Sequence, residues 1–171
     1  LDEDQVTLLN ISFTGRKNDE IPDYRHLTTL VQIYSRDEQI EKILEKNGNK
    51  YDPHILHERI KQARHWVMNY APESSRFHIL DENSPVNLNE DGKKVICNLM
   101  ANIKSLETWN AEAIHEAARK AIQQSSVSPS EGFSYIYRVF IGKDRGPRLG
   151  FFLEGMERDK VEKRLSFSCG A

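Results

Sequence analysis

Apolar residues recur every three to four positions along most of this chain, the period of a helix with one buried face. The first stripe is Leu27, Leu30, Val31 and Tyr34, after Pro22-Asp23. Ser35 followed by Glu38 has capping-box spacing. It predicts a short helix with Ile40, Ile43 and Leu44 on one face, stopped by Asn47-Gly48-Asn49. Asp52-Pro53 supplies an acidic cap and a first-turn proline for a stripe of Leu56, Ile60, Ala63, Val67 and Tyr70, which ends at Ala71-Pro72. Residues 73–92, punctuated by Pro85 and Gly92, read as a connection. The next stripe runs through Val95, Ile96, Leu99, Met100, Ile103 and Leu106. Thr108 is placed to cap a further helix with Ala111, Ile114, Ala118 and Ile122 inward. Ser128-Pro129-Ser130-Glu131 is a second capping box, and the helix it opens carries Phe133, Ile136, Tyr137 and Phe140. Gly142 is placed to end that helix. Gly146-Pro147 starts a short helical turn through Leu149 and Phe152, Gly155 interrupts it, and Val161 and Leu165 sit in a last helix. No alternating run of useful strand length is present. The pattern predicts an all-α bundle of roughly seven helices.

Composition narrows the reading. The 171 residues suit one domain, or two small helical subdomains. Hydrophobic residues at 38% and charged residues at 29% imply a large polar surface relative to the core. The longest apolar runs, such as Val139-Phe140-Ile141 and Phe151-Phe152-Leu153, fall far short of the ~20 residues of a transmembrane helix. Asp2, Glu3 and Asp4 stand where a signal peptide would be basic, so none is expected. Two cysteines, Cys97 and Cys169, make no disulfide framework and no Cys-x-x-Cys pair. A reducing cytoplasm is the simplest expectation, with Cys97 in the core. The net charge of −2 argues against polyanion binding by overall charge. A local basic site is still open to it, because residues 131–171 carry eight basic side chains against six acidic ones.

Most candidate chemistry has a plain reading. Glu112-Ala-Ile-His115 is a Glu-x-x-His step, the ligand pair of di-iron bundles, but such a site needs a second copy. None is found, and an exposed helix face is expected. His54, His57 and Glu58 share a helix, without further ligands spaced to close a metal site. Phosphate-binding glycine loops and the Gly-x-Ser-x-Gly elbow are absent. The informative stretch is 133–155, where Arg138, Lys143, Arg145 and Arg148 alternate with aromatics and glycines. Arginines beside aromatics suit unstacked RNA bases. The competing reading is that the aromatics are core and the charges are surface.

Arg138-Val-Phe-Ile-Gly-Lys-Asp-Arg-Gly-Pro-Arg-Leu-Gly resembles the C-terminal signature of class I lysyl-tRNA synthetases. Ile60-Lys-Gln-Ala-Arg-His-Trp-Val-Met-Asn-Tyr-Ala-Pro is similar to that family's helix ending in Tyr-Ala-Pro, and Trp109 with Phe133 and Tyr137 fits a later helix pair. The resemblance spans roughly residues 22–165. A looser similarity links the C-terminal segment to the anticodon-binding domain of glutamyl-tRNA synthetases. The nucleotide-binding sheet of class I synthetases, with its His-Ile-Gly-His and Lys-Met-Ser-Lys-Ser-type signatures, has no counterpart here; His54-Ile-Leu-His57 lacks the glycine.

The resemblance implies an α-helix cage that grips the anticodon loop of lysine tRNA. It implies a C-terminal fragment of a longer enzyme, cut before Leu1. Residues 1–21 would connect from a catalytic domain, 22–92 would form a first helical subdomain, and 93–171 the anticodon-binding subdomain. The full enzyme would ligate lysine to its tRNA with ATP and Mg2+. The fragment would hold no cofactor and would be inactive alone. Its partners would be tRNA and its own catalytic domain, with no DNA and no membrane. Arg138 is the first choice for an anticodon contact, because it matches an arginine that the glutamyl enzymes place there. Lys143, Arg145 and Arg148 would meet phosphates or bases, and Phe133 and Trp109 would stack on bases or pack in the core. Trp66 would be core or a helix contact. The alternative from another class is a helical protein-interaction module without RNA.

Overall fold

The computed structural model describes residues 22–46, 48 and 50–170. The expectations for residues 1–21 lie outside these. Among the described residues there are eight α-helices, one short 3-10 turn and no strand, so the all-α bundle is found with a helix more than predicted. The helices are α1 (Tyr24–Ile33), α2 (Asp37–Lys46), α3 (Pro53–Asn69), α4 (Glu90–Lys104), α5 (Ala111–Ser125), α6 (Pro129–Ile141), α7 (Leu149–Glu154) and α8 (Arg158–Cys169). No described helix is long and apolar enough to cross a membrane.

Most helices begin where a side-chain oxygen can take an orphan amide of the first turn. Asp23 accepts from the His26 amide at 2.7 Å and Asp52 from the His54 amide at 3.0 Å. Ser128 and Glu131 form the predicted capping box reciprocally. Two starts differ from the sequence reading. Thr108 does not cap α5. A cap stands immediately before the first helical residue, and that place belongs to Asn110, whose Oδ1 accepts from the Ala113 amide at 2.8 Å. Gly92 is no connector but lies in the first turn of α4, where its amide donates to Asn89 Oδ1 at 2.8 Å. The helix predicted from Ser35 begins at Asp37.

Two cores form. Leu27, Leu30, Ile40, Leu44, Ile60 and Ala63 bury one between α1, α2 and α3. The larger takes Phe77 and Leu88 from the connection and the inner faces of α4 to α8, including Ile96, Leu99, Ile114, Phe140 and Phe152. Each such side chain contributes about 1.5–3 kcal/mol on burial. Ile33 packs on both cores. Gly150 lets α7 lie against the start of α5: a Cβ there would strike the Ala111 carbonyl oxygen.

The cysteines depart from the sequence reading. Cys97 on α4 and Cys169 at the end of α8 are joined in a disulfide, with Cα atoms 5.2 Å apart. Their 72-residue separation gave no local signal of pairing. The half-buried Cys97 is therefore a staple between helices.

Candidate nucleic-acid interface

The segment between α6 and α7 is short, basic and tied down at nearly every residue. Gly142 ends α6 at φ +67°, a left-handed conformation that favours glycine. Its amide donates to the Arg138 carbonyl at 3.1 Å. Lys143 Nζ donates to the carbonyls of Glu73 at 3.0 Å and Arg76 at 2.7 Å, and sits 3.6 Å from the Glu73 carboxylate. Asp144 accepts from Ser134 Oγ at 2.9 Å and from Arg138 Nε. These two donors hold its carboxyl below the usual carboxylate range. The Tyr137 hydroxyl donates to the Pro147 carbonyl, and burial raises its pKa to about 12.

This anchoring sets where the predicted residues go. Arg138 is exposed beside Asp144, with its guanidinium 5.9 Å from the centre of the Tyr135 ring. Arg145 is exposed and lines a polar groove with Arg138, Phe133 and Tyr137. Arg148 is exposed at the start of α7 and borders a mostly apolar hollow of about 630 Å³. Phe133 lies in the wall of both, stacked on His115 with ring centres 5.7 Å apart and planes 16° apart. Phe151 is 42% exposed at the edge of the hollow. Thus Arg138, Arg145, Arg148 and Phe133 share one face.

Lys143 and Trp109 are engaged elsewhere. Lys143 braces the 73–76 turn, as its bonds show. Trp109 packs against the larger core beneath Arg158, whose guanidinium is 5.6 Å from its ring centre. Glu112 and His115 lie on the exposed face of α5, as expected, where His115 stacks on Phe133 as an aromatic wall. Among the described residues, no three His, Cys, Asp or Glu side chains come together to hold a metal ion.

Two further arginines of the basic C-terminal quarter finish helices. The last carbonyls of a helix have no partner within it. Arg158 donates to Ile103, Lys104 and Leu106 carbonyls at the end of α4. Arg164, 2% exposed, donates to Val139 at 2.8 Å, near the end of α6, and to Glu82 and Ser84 at 3.1 and 2.6 Å. A count of basic residues cannot separate such clamps from surface charge.

The fold and the site thus define an all-helical domain that presents exposed arginines beside an aromatic-walled hollow. The chain belongs to the anticodon-binding domain family, whose model matches residues 27–168. Among curated proteins it is similar to the lysine–tRNA ligase of Thermoplasma acidophilum, at 36% identity over 167 residues, 96% of this chain and 33% of the relative. It is also similar to the lysine–tRNA ligases of Picrophilus torridus (36% identity; 88% of this chain, 30% of the relative) and Pyrococcus horikoshii (35% identity; 83% and 28%). The chain spans about a third of the length of these relatives.

Proposed function

We propose that this chain reads the anticodon loop of lysine tRNA, as the anticodon-binding part of a lysine–tRNA ligase. The family match and the ligase relatives support this reading. The observation that carries it to a surface is the anchored 142–148 loop, which sets Arg148 beside the hollow walled by Phe133 and His115 and Arg145 in the adjoining groove that Phe133 also lines. An unstacked base needs an aromatic face and a donor for its edge. Phe133 and His115 offer the face. Arg138, Arg145 and Arg148 offer donors to base carbonyls and phosphates. Lys143 contributes by tying the loop that carries Arg145 and Arg148 to the 73–76 turn. On this reading lysine activation, ATP and Mg2+ belong to the part of the ligase outside this chain, in its catalytic domain.

The test is retention of a lysine tRNA transcript against the same tRNA with its anticodon replaced. The expected outcome is tighter binding of the lysine tRNA, reduced by Arg138→Ala by roughly tenfold or more, the scale of a lost charge-assisted hydrogen bond. Equal binding of the two tRNAs by the unaltered chain would remove anticodon reading. It would leave the protein-interaction module as the better account.

A further inference from the structure

A second hollow, of about 280 Å³, opens where α1 and α3 meet the 73–76 turn and the 142–148 loop. Its wall contains three guanidinium-bearing residues, Arg25, Arg76 and Arg145, and no carboxylate. The two acids flanking these segments are already committed, Glu73 to Lys143 and Asp144 to Arg138. Among the described residues no ion pair within 4 Å involves Arg25, Arg76 or Arg145, and only Arg145 feels a carboxylate at longer range, that of Asp144. The Nε of Arg76 is buried without a hydrogen-bond partner. A buried donor on a charged group left unpaired is costly, and so is gathering like charges around one hollow. An anion in the hollow relieves the repulsion among the three arginines.

The hollow is preformed. Gln32 Nε2 donates to the Thr28 carbonyl at 2.9 Å and the Ser75 carbonyl at 3.2 Å, and its Oε1 accepts from the Phe77 amide at 2.9 Å. One saturated side chain thus fixes the turn that carries Arg76 against α1. Trp66 contributes an aromatic wall and Ser74 a hydroxyl, while the Thr28 hydroxyl donates to the Arg25 carbonyl at 2.8 Å. Guanidinium forks match phosphate oxygens in geometry, and an aromatic ring suits the adjoining sugar or base.

We propose that this hollow holds one backbone phosphodiester of the bound tRNA, apart from the bases met at Phe133. The proposal rests on the RNA-binding reading above. Arg145 links the two places, since it lines both this hollow and the groove of Arg138. A strand laid across that face therefore reaches the hollow through a shared side chain. The contact reads the backbone, so it adds affinity without anticodon preference.

The test uses the 171-residue chain, the two tRNAs above, and the double variant Arg25→Gln/Arg76→Gln. Loss of one single-strand phosphate contact flattens the slope of log K against log salt by about 0.7. Affinity should fall by roughly tenfold, equally for both tRNAs, so the anticodon preference is unchanged. Arg25→Lys/Arg76→Lys should restore the slope, because charge is kept, and this excludes misfolding as the cause. Ser74→Glu keeps all three arginines and places a carboxylate at the hollow, and it too should weaken both tRNAs. Parallel salt lines with unchanged affinity overturn the proposal. A loss confined to the lysine tRNA overturns it too, by making the hollow a base reader. Competition by millimolar inorganic phosphate with Lys variants unable to restore the slope assigns the hollow to a free anion and overturns it. If the unaltered chain lacks anticodon preference but the slope still changes, the anticodon reading fails and the phosphodiester site stands. A chain that retains no tRNA overturns both.

Discussion

Arg138 and Asp144 face each other six positions apart, and their pairing limits what Arg138 offers to RNA. Asp144 is exposed and holds Arg138 Nε with help from Ser134. Because those donors lower the Asp144 pKa, the pair is complete above the ordinary carboxylate range. Its stabilising contribution is lost only as the pH falls through that lowered value. At neutral pH an incoming phosphate or base must therefore compete with a charged partner for Arg138. Exposed pairs of this kind contribute little to stability and are easily exchanged for another partner. Asp144→Asn is expected to raise tRNA affinity by roughly two- to fivefold, read in the same titrations, with little change in thermal stability. Weaker binding would mean that Asp144 positions Arg138 and does not compete for it.

At the scale of elements, helix ends decide how this chain spends its arginines. The last turn of α6 leaves three carbonyls that the sequence finishes in three ways. Gly142 takes Arg138, the Leu80 amide takes Phe140 at 2.8 Å, and Arg164 takes Val139. Arg164 also binds the carbonyls of Glu82 and Ser84, so one guanidinium joins α8, α6 and the 81–84 turn. Burial lowers its pKa, yet it stays the donor these acceptors need. Arg164→Met keeps the apolar stem and strands the three acceptors, each at about 1–3 kcal/mol if it stays dry. A loss of roughly 3 kcal/mol in denaturant unfolding is expected, with tRNA affinity at low temperature nearly intact. These clamps were not legible in the sequence, where Arg158 and Arg164 count as basic charge like Arg145 and Arg148.

For the whole molecule, two cores share one chain, and only the larger is closed by a covalent link. The Cys97–Cys169 disulfide spans 72 residues of it, and a loop of that length is worth about 4 kcal/mol in the chain-entropy account. Reduction, or Cys97→Ser, is expected to lower the denaturant midpoint and to speed amide exchange in α4 and α8. Exchange in α1 to α3 should change little. Unchanged exchange throughout would show that packing alone closes the second core.

The sequence by itself determined the helices, because a 3.6-residue stripe and its caps are local properties. Asp52-Pro53 and Ser128 to Glu131 announce their helices in a few residues. It also announced the basic, glycine-punctuated 138–150 segment that carries the family resemblance. Only the tertiary structure decided which charges face outward. Lys143 turns to the 73–76 turn, Arg158 and Arg164 turn to helix ends, and Cys97 finds Cys169. It alone brought Arg25 and Arg76 to Arg145 around one hollow. The reason is physical: periodicity and capping depend on neighbours within a turn or two. The partner of a long charged side chain is set by helix packing, which here joins residues 25 to 82 positions apart.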